Sequence, residues 1–136
     1  MKQDILKNEN LIESSSQYAK TVLEELLKIG KDFFFVVNTE FIEFERKEIV
    51  FKEKQIRLDI VGYSFETFEI HENFFNFRAG FNWTKGTIES GVKIDYKGVQ
   101  QIVIDEKQTV FVTFVKPEKK QDRKTLFMQK NMFNKK

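Results

Sequence analysis

His71, the single histidine, stands between Glu69 and Glu72, where residues with metal-ligand chemistry crowd together. On a strand, alternation would put Glu69 and His71 on one face. A metal site, however, needs three or four convergent ligands, and there is no second histidine and no cysteine to complete the set. The trio reads as a solvated turn. The same two shortages remove the familiar nucleophile and base pairs. Gly80, Gly86 and Gly91 fit no phosphate-binding spacing. Carboxylates are too frequent to single out a pair. The residue types point to a protein that is not an enzyme and uses neither metal nor cofactor.

The elements that would hold such residues are clearest from Phe65 to Tyr96. Phe75, Phe77, Ala79, Phe81 and Trp83 alternate with Asn76, Arg78, Gly80 and Asn82, the period of a strand with one face on a core. Phe65, Phe68 and Ile70 predict a shorter strand before it. Val92, Ile94 and Tyr96 predict another after it, beyond a polar loop from Thr84 to Gly91. The phenylalanine stripe reads first as core. An RNA platform would want cations between the aromatics, and Arg78 is the only one. Trp83 and the loop Thr84-Lys85-Gly86-Thr87 either line a groove or close the core.

Upstream, Ala19, Val22, Leu23, Leu26 and Leu27 recur at three and four. Ser14-Ser15-Ser16 and Gly30 frame them as an amphipathic helix. Its stripe could lie on the sheet or on a second copy. Asp32 to Asn38 and Ile56 to Ile60 read as strands, and Phe41 to Lys54 as an irregular or edge strand. Gly98 to Ile104 fits a helical turn or a strand, and Val110 to Val115 a last strand. Pro117 ends the sheet.

At 136 residues the chain predicts one domain, residues 1–115, with a tail, residues 116–136. The tail carries eight basic residues against Glu118 and Asp122, a net +6, which leaves −4 on the body. From Glu118 to Lys124 it has no apolar residue and reads as a linker. Leu126, Phe127 and Met128 then form one apolar knot, Met132 and Phe133 another. No run is long and apolar enough for a membrane span, and no secretory h-region is visible, so a cytoplasmic location is expected.

This order of elements resembles the stringent starvation protein B family (SspB), adaptors of the ClpXP protease, in its alphaproteobacterial branch. The segment from Ser64 to Phe81 is similar to the family's central hairpin, with Phe65, Phe68, Ile70, Phe75, Phe77, Ala79 and Phe81 at its apolar positions. Leu58-Asp59-Ile60 resembles a Leu-Asn-Ile strand, and Phe33-Phe34-Phe35 an early aromatic strand. The loop after Phe81 is longer than in the family, and Asn82-Trp83 and Ile94-Asp95 depart from its pattern.

The resemblance implies an α+β fold, an N-terminal amphipathic helix followed by a small Sm-like, partly open antiparallel β-barrel. It implies homodimers formed through Ala19, Val22, Leu23 and Leu26. Ile60, Val61, Tyr63, Ala79, Phe81, Trp83 and Lys85 would line a groove for an ssrA-like degradation tag. Leu126, Phe127 and Met128, or Met132 and Phe133, would dock on ClpX, across a spacer reaching only about 30 Å. A small RNA-binding barrel, or an SspB-like interaction protein without degron binding, is the alternative.

Overall fold

The computed structural model describes residues 4–83, 86–105 and 107–118. The fold is α+β. A long helix, α1 (Glu9–Ile29), precedes eight strands: β1 (Phe33–Asn38), β2 (Ile42–Phe44), β3 (Gln55–Ile60), β4 (Glu69–Ile70), β5 (Phe74–Trp83), β6 (Gly86–Asp95), β7 (Val99–Ile104) and β8 (Gln108–Val112). One helical turn, α2 (Tyr63–Glu66), sits between β3 and β4.

The strands form two antiparallel sheets, ordered β3-β1-β7-β8 and β2-β6-β5-β4. Two bent strands serve both. A 3-10 turn at Thr39–Phe41 carries β1 into β2, and another at Tyr96–Gly98 carries β6 into β7. Phe35 pairs with Ile102 in the first sheet, and Phe44 with Val92 in the second. At the corner a Cβ on Gly98 would overlap the Phe41 side chain. Glycine is needed there for close approach, not for an unusual dihedral. No ladder joins β3 to β4 or β5 among the described residues, so the two sheets do not close into a barrel.

Alternation from β1 and β5 builds the core. Phe33, Phe35 and Val37 turn inward from β1, and Phe75, Phe77 and Phe81 from β5. Phe35 meets the Phe75 ring edge-on at 5.5 Å and the Phe77 ring at 6.0 Å, which joins the two sheets. Burying one such side chain is worth about 1.5–3 kcal/mol.

Helix α1 starts earlier than its serines suggest. Asn8 caps it, its side chain accepting from the Asn10 and Leu11 amides, and Gly30 ends it at φ 78°. Ser16 lies inside, donating to the Glu13 carbonyl at 2.9 Å, an internal bond that serine forms as readily as a cap. The stripe of Ala19, Leu23 and Leu26 is buried in the core of its own chain, with Val22 half-buried beside it. The choice between sheet and second copy thus falls to the sheet. These three side chains are not a free surface for pairing subunits.

Two further expectations change. Phe65 and Phe68 are not on a strand: their spacing of three belongs to α2 and the turn after it, and β4 keeps only Glu69 and Ile70. The expected loop from Thr84 to Gly91 is largely the start of β6, running opposite β5 with Gly80 across from Glu89 and Phe81 across from Ile88. Ser90, fully buried, occupies a core position there and hides the alternation.

Leu23→Ala should lower stability by about 2–5 kcal/mol in urea unfolding, because it leaves a cavity under a fully buried helix residue. Leu23→Asp should unfold the chain. An Asp variant with the unaltered midpoint would place the stripe outside the core.

Candidate functional site

The two sheets approach each other without pairing along β3 and β5, and α2 packs against both. Hydroxyls of α2 and of Thr67 just after it occupy backbone groups that a further strand would have taken. Ser64 Oγ accepts from the Val61 amide at 3.0 Å and lies 3.3 Å from the Asp59 carbonyl of β3. Thr67 Oγ1 accepts from the Arg78 amide of β5 at 2.9 Å. Behind them the aromatics of the turn fill the opening. Phe68 stacks on Phe75 at 5.1 Å and on Phe77 at 5.6 Å, and Phe33 meets Phe65 and Phe68 edge-on at 6.5 and 6.0 Å.

This plug stops at Arg78. The Arg78 backbone faces Thr67, whereas Gly91, its partner on β6, turns to the other side, where its amide meets Glu45 Oε1 at 3.3 Å. By strand alternation Gly80 and Asn82 therefore direct their N–H and C=O groups to the outer edge of β5. Among the described residues β4 reaches only Phe75 and Asn76, so no strand covers that edge at Gly80 and Asn82. Val61 and Tyr63, 48% and 50% exposed, stand on the α2 side of it. An unpaired edge beside exposed apolar side chains can accept an extended chain through backbone hydrogen bonds.

The outer face of the second sheet is polar, and one cation organises it. Arg78 donates through Nε to Glu89 Oε1 at 2.8 Å and through a terminal nitrogen to Glu45 Oε1 at 2.9 Å. Tyr63 adds its hydroxyl to Glu89 Oε1 at 3.0 Å, which ties α2 to β6 over β5. Hydrogen bonds to Glu89 and Glu45 raise the Arg78 pKa. Those from Arg78 and then Tyr63 hold the Glu89 carboxyl below the usual carboxylate range.

His71 belongs to a separate small network. Asn76 donates its amide to Glu69 at 2.9 Å, so its oxygen, 2.6 Å from His71 Nε2, accepts a hydrogen bond from that nitrogen. The ring stacks on Phe74 at 4.5 Å. Buried Tyr96 donates to the His71 carbonyl at 2.7 Å, and burial raises its pKa. Among the described residues no three metal-ligating side chains come together, and no helix is long and apolar enough to cross a membrane.

Of the groove residues suggested by the sequence, Val61 and Tyr63 are on the surface beside the edge. Ala79 is half-buried. Ile60 and Phe81 are buried and face the core, Phe81 edge-on to Phe44 at 5.5 Å, so they support the edge from beneath and do not wall an open cleft. Trp83 is the last residue of β5. Lys85 lies outside the described residues, as do Leu126, Phe127, Met128, Met132 and Phe133. Sequence reasoning missed Gly80, Asn82, Ser64 and Thr67. The first two act through backbone, and the hydroxyls carried no periodic signal.

No protein-family model matches this chain, and no curated protein is significantly similar to it.

Because the folded pKa of Glu89 is depressed, its ion pair stabilises fully above the ordinary carboxylate range and is lost as pH falls through the lower folded value. Arg78→Gln should raise the Glu89 titration, followed by carboxyl NMR, toward the ordinary range, the Tyr63 hydrogen bond remaining. An unmoved titration would show that Arg78 does not set it.

Proposed function

We propose that this protein is a non-enzymatic adaptor of the SspB type, which adds an extended, ssrA-like degradation tag to the outer edge of β5 and delivers its bearer to a ClpX-type unfoldase through the tail. The observation that carries the reading is the uncovered edge at Gly80 and Asn82, flanked by exposed Val61 and Tyr63. The bent pairs β1-β2 and β6-β7, shared between two sheets with a seam left open, agree with an Sm-like, partly open barrel. The resemblance in sequence, from the aromatic strand through the Phe-rich hairpin, points the same way.

Adaptors work by tethering. Holding a tag near an unfoldase raises its effective concentration without any chemistry. In this reading Leu126, Phe127 and Met128, or Met132 and Phe133, dock on the unfoldase, and Trp83 and Lys85 lie at the rim of the tag site. A cytoplasmic location goes with the role. Pairing of two copies would use a face other than the buried stripe of α1.

RNA binding is the weaker reading on a specific ground. Phe75, Phe77 and Phe81 point into the core, so the hairpin offers them to no base.

Asn82→Pro removes an outward N–H without touching the β6 ladder. It should weaken binding of a fluorescent tag peptide by at least about tenfold, ~1.4 kcal/mol, while the unfolding midpoint stays close to that of the parent. Undiminished binding would move the tag elsewhere. Removing residues 125–136 should spare peptide binding and abolish delivery to the protease; delivery that survives would remove the tail from the mechanism. Affinity for RNA that falls steeply with salt, with none for peptide, would favour the rival.

A further inference from the structure

An added strand on the outer edge of β5 would meet two different surfaces, one on each face of the hairpin. Gly80 pairs with Glu89 on β6, Phe81 with Ile88 and Asn82 with Thr87. The Arg78 amide turns outward to Thr67, so the backbone groups of Gly80 and Asn82 turn outward as well. Residues level with one another on neighbouring strands point to the same face. A guest residue beside Gly80 therefore stands on the outer, polar face, and the one beside Phe81 turns into the seam.

On the outer face Gly80 leaves a gap. Within 4 Å, a Cβ built there meets one atom, the Thr87 methyl at 3.1 Å. Thr87 and Asn82 bound the gap on one side, their side chains 3.3 Å apart. Arg78, Glu89 and the Tyr63 hydroxyl bound it on the other. Arg78 is shared between Glu89 and Glu45, so the three groups carry one negative charge in excess. Glu89 receives both Arg78 and Tyr63 on Oε1, and its Oε2 has no hydrogen bond among the described residues. A guest backbone would run two strand spacings from that of β6, about 10 Å. With no side chain on Gly80 between them, Glu89 and a long cationic side chain can meet over the glycine.

The inward side has the opposite character. Ala79 and Phe81 from β5 and Ile60 from β3 are apolar, and exposed Val61 follows Ile60. A charged side chain turned in beside Phe81 would lose its water and gain no partner there.

We propose that the guest is a strand with basic side chains on its outward face and aliphatic ones on its inward face, a lysine or arginine beside Gly80 pairing with Glu89. Backbone groups of the edge hold the chain, and Glu89 across the glycine gap selects it, the division usual in strand addition. The same excess of negative charge turns away an acidic strand. The proposal rests on the reading of β5 as a guest edge and adds the class of peptide that the edge takes.

The test uses the full chain and two capped, fluorescent heptapeptides, one alternating valine with lysine and the other valine with glutamate. Alternation presents the charged residue beside Gly80 in either chain direction. The lysine peptide should bind at least about threefold more tightly, the size expected of an exposed ion pair, and the difference should shrink as salt rises. Glu89→Gln should bring the two affinities together, with the unfolding midpoint recorded alongside. Glu89→Lys should invert the preference, which a loss of folding cannot do. Equal affinities in the parent, a preference for glutamate, or a preference unchanged in both Glu89 variants overturns the charge rule; if Asn82→Pro still weakens both peptides, the edge reading survives without it. Should neither peptide bind, or Asn82→Pro leave both affinities as they were, the edge is not the seat and the rule falls with it.

Discussion

Backbone groups at a strand edge must find a partner or stay in water, and this fold depends on how its two inner edges meet that demand. The two sheets share their bent strands, so β3 and β5 are brought near each other as unpaired edges. Closing the seam with another strand would make a sealed barrel. Instead α2 supplies Ser64 to one edge, and Thr67, which follows it, serves the other. Hydroxyls satisfy individual groups where a strand would satisfy a whole row. The seam is therefore closed as far as Arg78 and left open beyond it, and the candidate site is the remainder of an incomplete closure.

What allows the closure to stop part-way is the aromatic packing beneath. Phe68 stacks on Phe75 and Phe77, and Phe35 crosses from the other sheet to the same two rings. The lower seam is filled by these rings. At the upper end Phe81 rests against Phe44 and Phe51. The edge above it is held in strand geometry by β6 and by its own buried side chains. A pre-formed edge loses little entropy when a guest adds to it, which favours strand addition over binding by a loop.

Much of this architecture was legible because one-sided burial writes a period into the sequence. Phe75 to Trp83 alternate without exception, and the structure has a strand there. The pattern failed where a residue type and its position disagreed. Ser90 is small and polar yet fully buried, so the first half of β6 looked like a loop. Phe65 and Phe68 pack on the same aromatic cluster as a strand would, and with Ile70 they passed for one. Asn8 and the serines of α1 all have capping chemistry, and only tertiary position tells which one caps. The open edge was the least visible feature, since N–H and C=O groups at Gly80 and Asn82 are common to every residue. What distinguishes them is what fails to lie beside them.

The same topology separates the edge from the tail. In the first sheet β3 borders the seam and β8 is the opposite edge, three inter-strand spacings away, about 14 Å. The chain leaves β8 and is tied to the N-terminal turn through Leu6 and Lys7 before the described residues end. Its exit is thus fixed to the far side of the sheet from the guest edge. A guest on β5 and a partner on the tail, as proposed, would not compete for surface. The proposed delivery by tethering would require that independence, because an adaptor whose two sites excluded each other would release its cargo on reaching its destination.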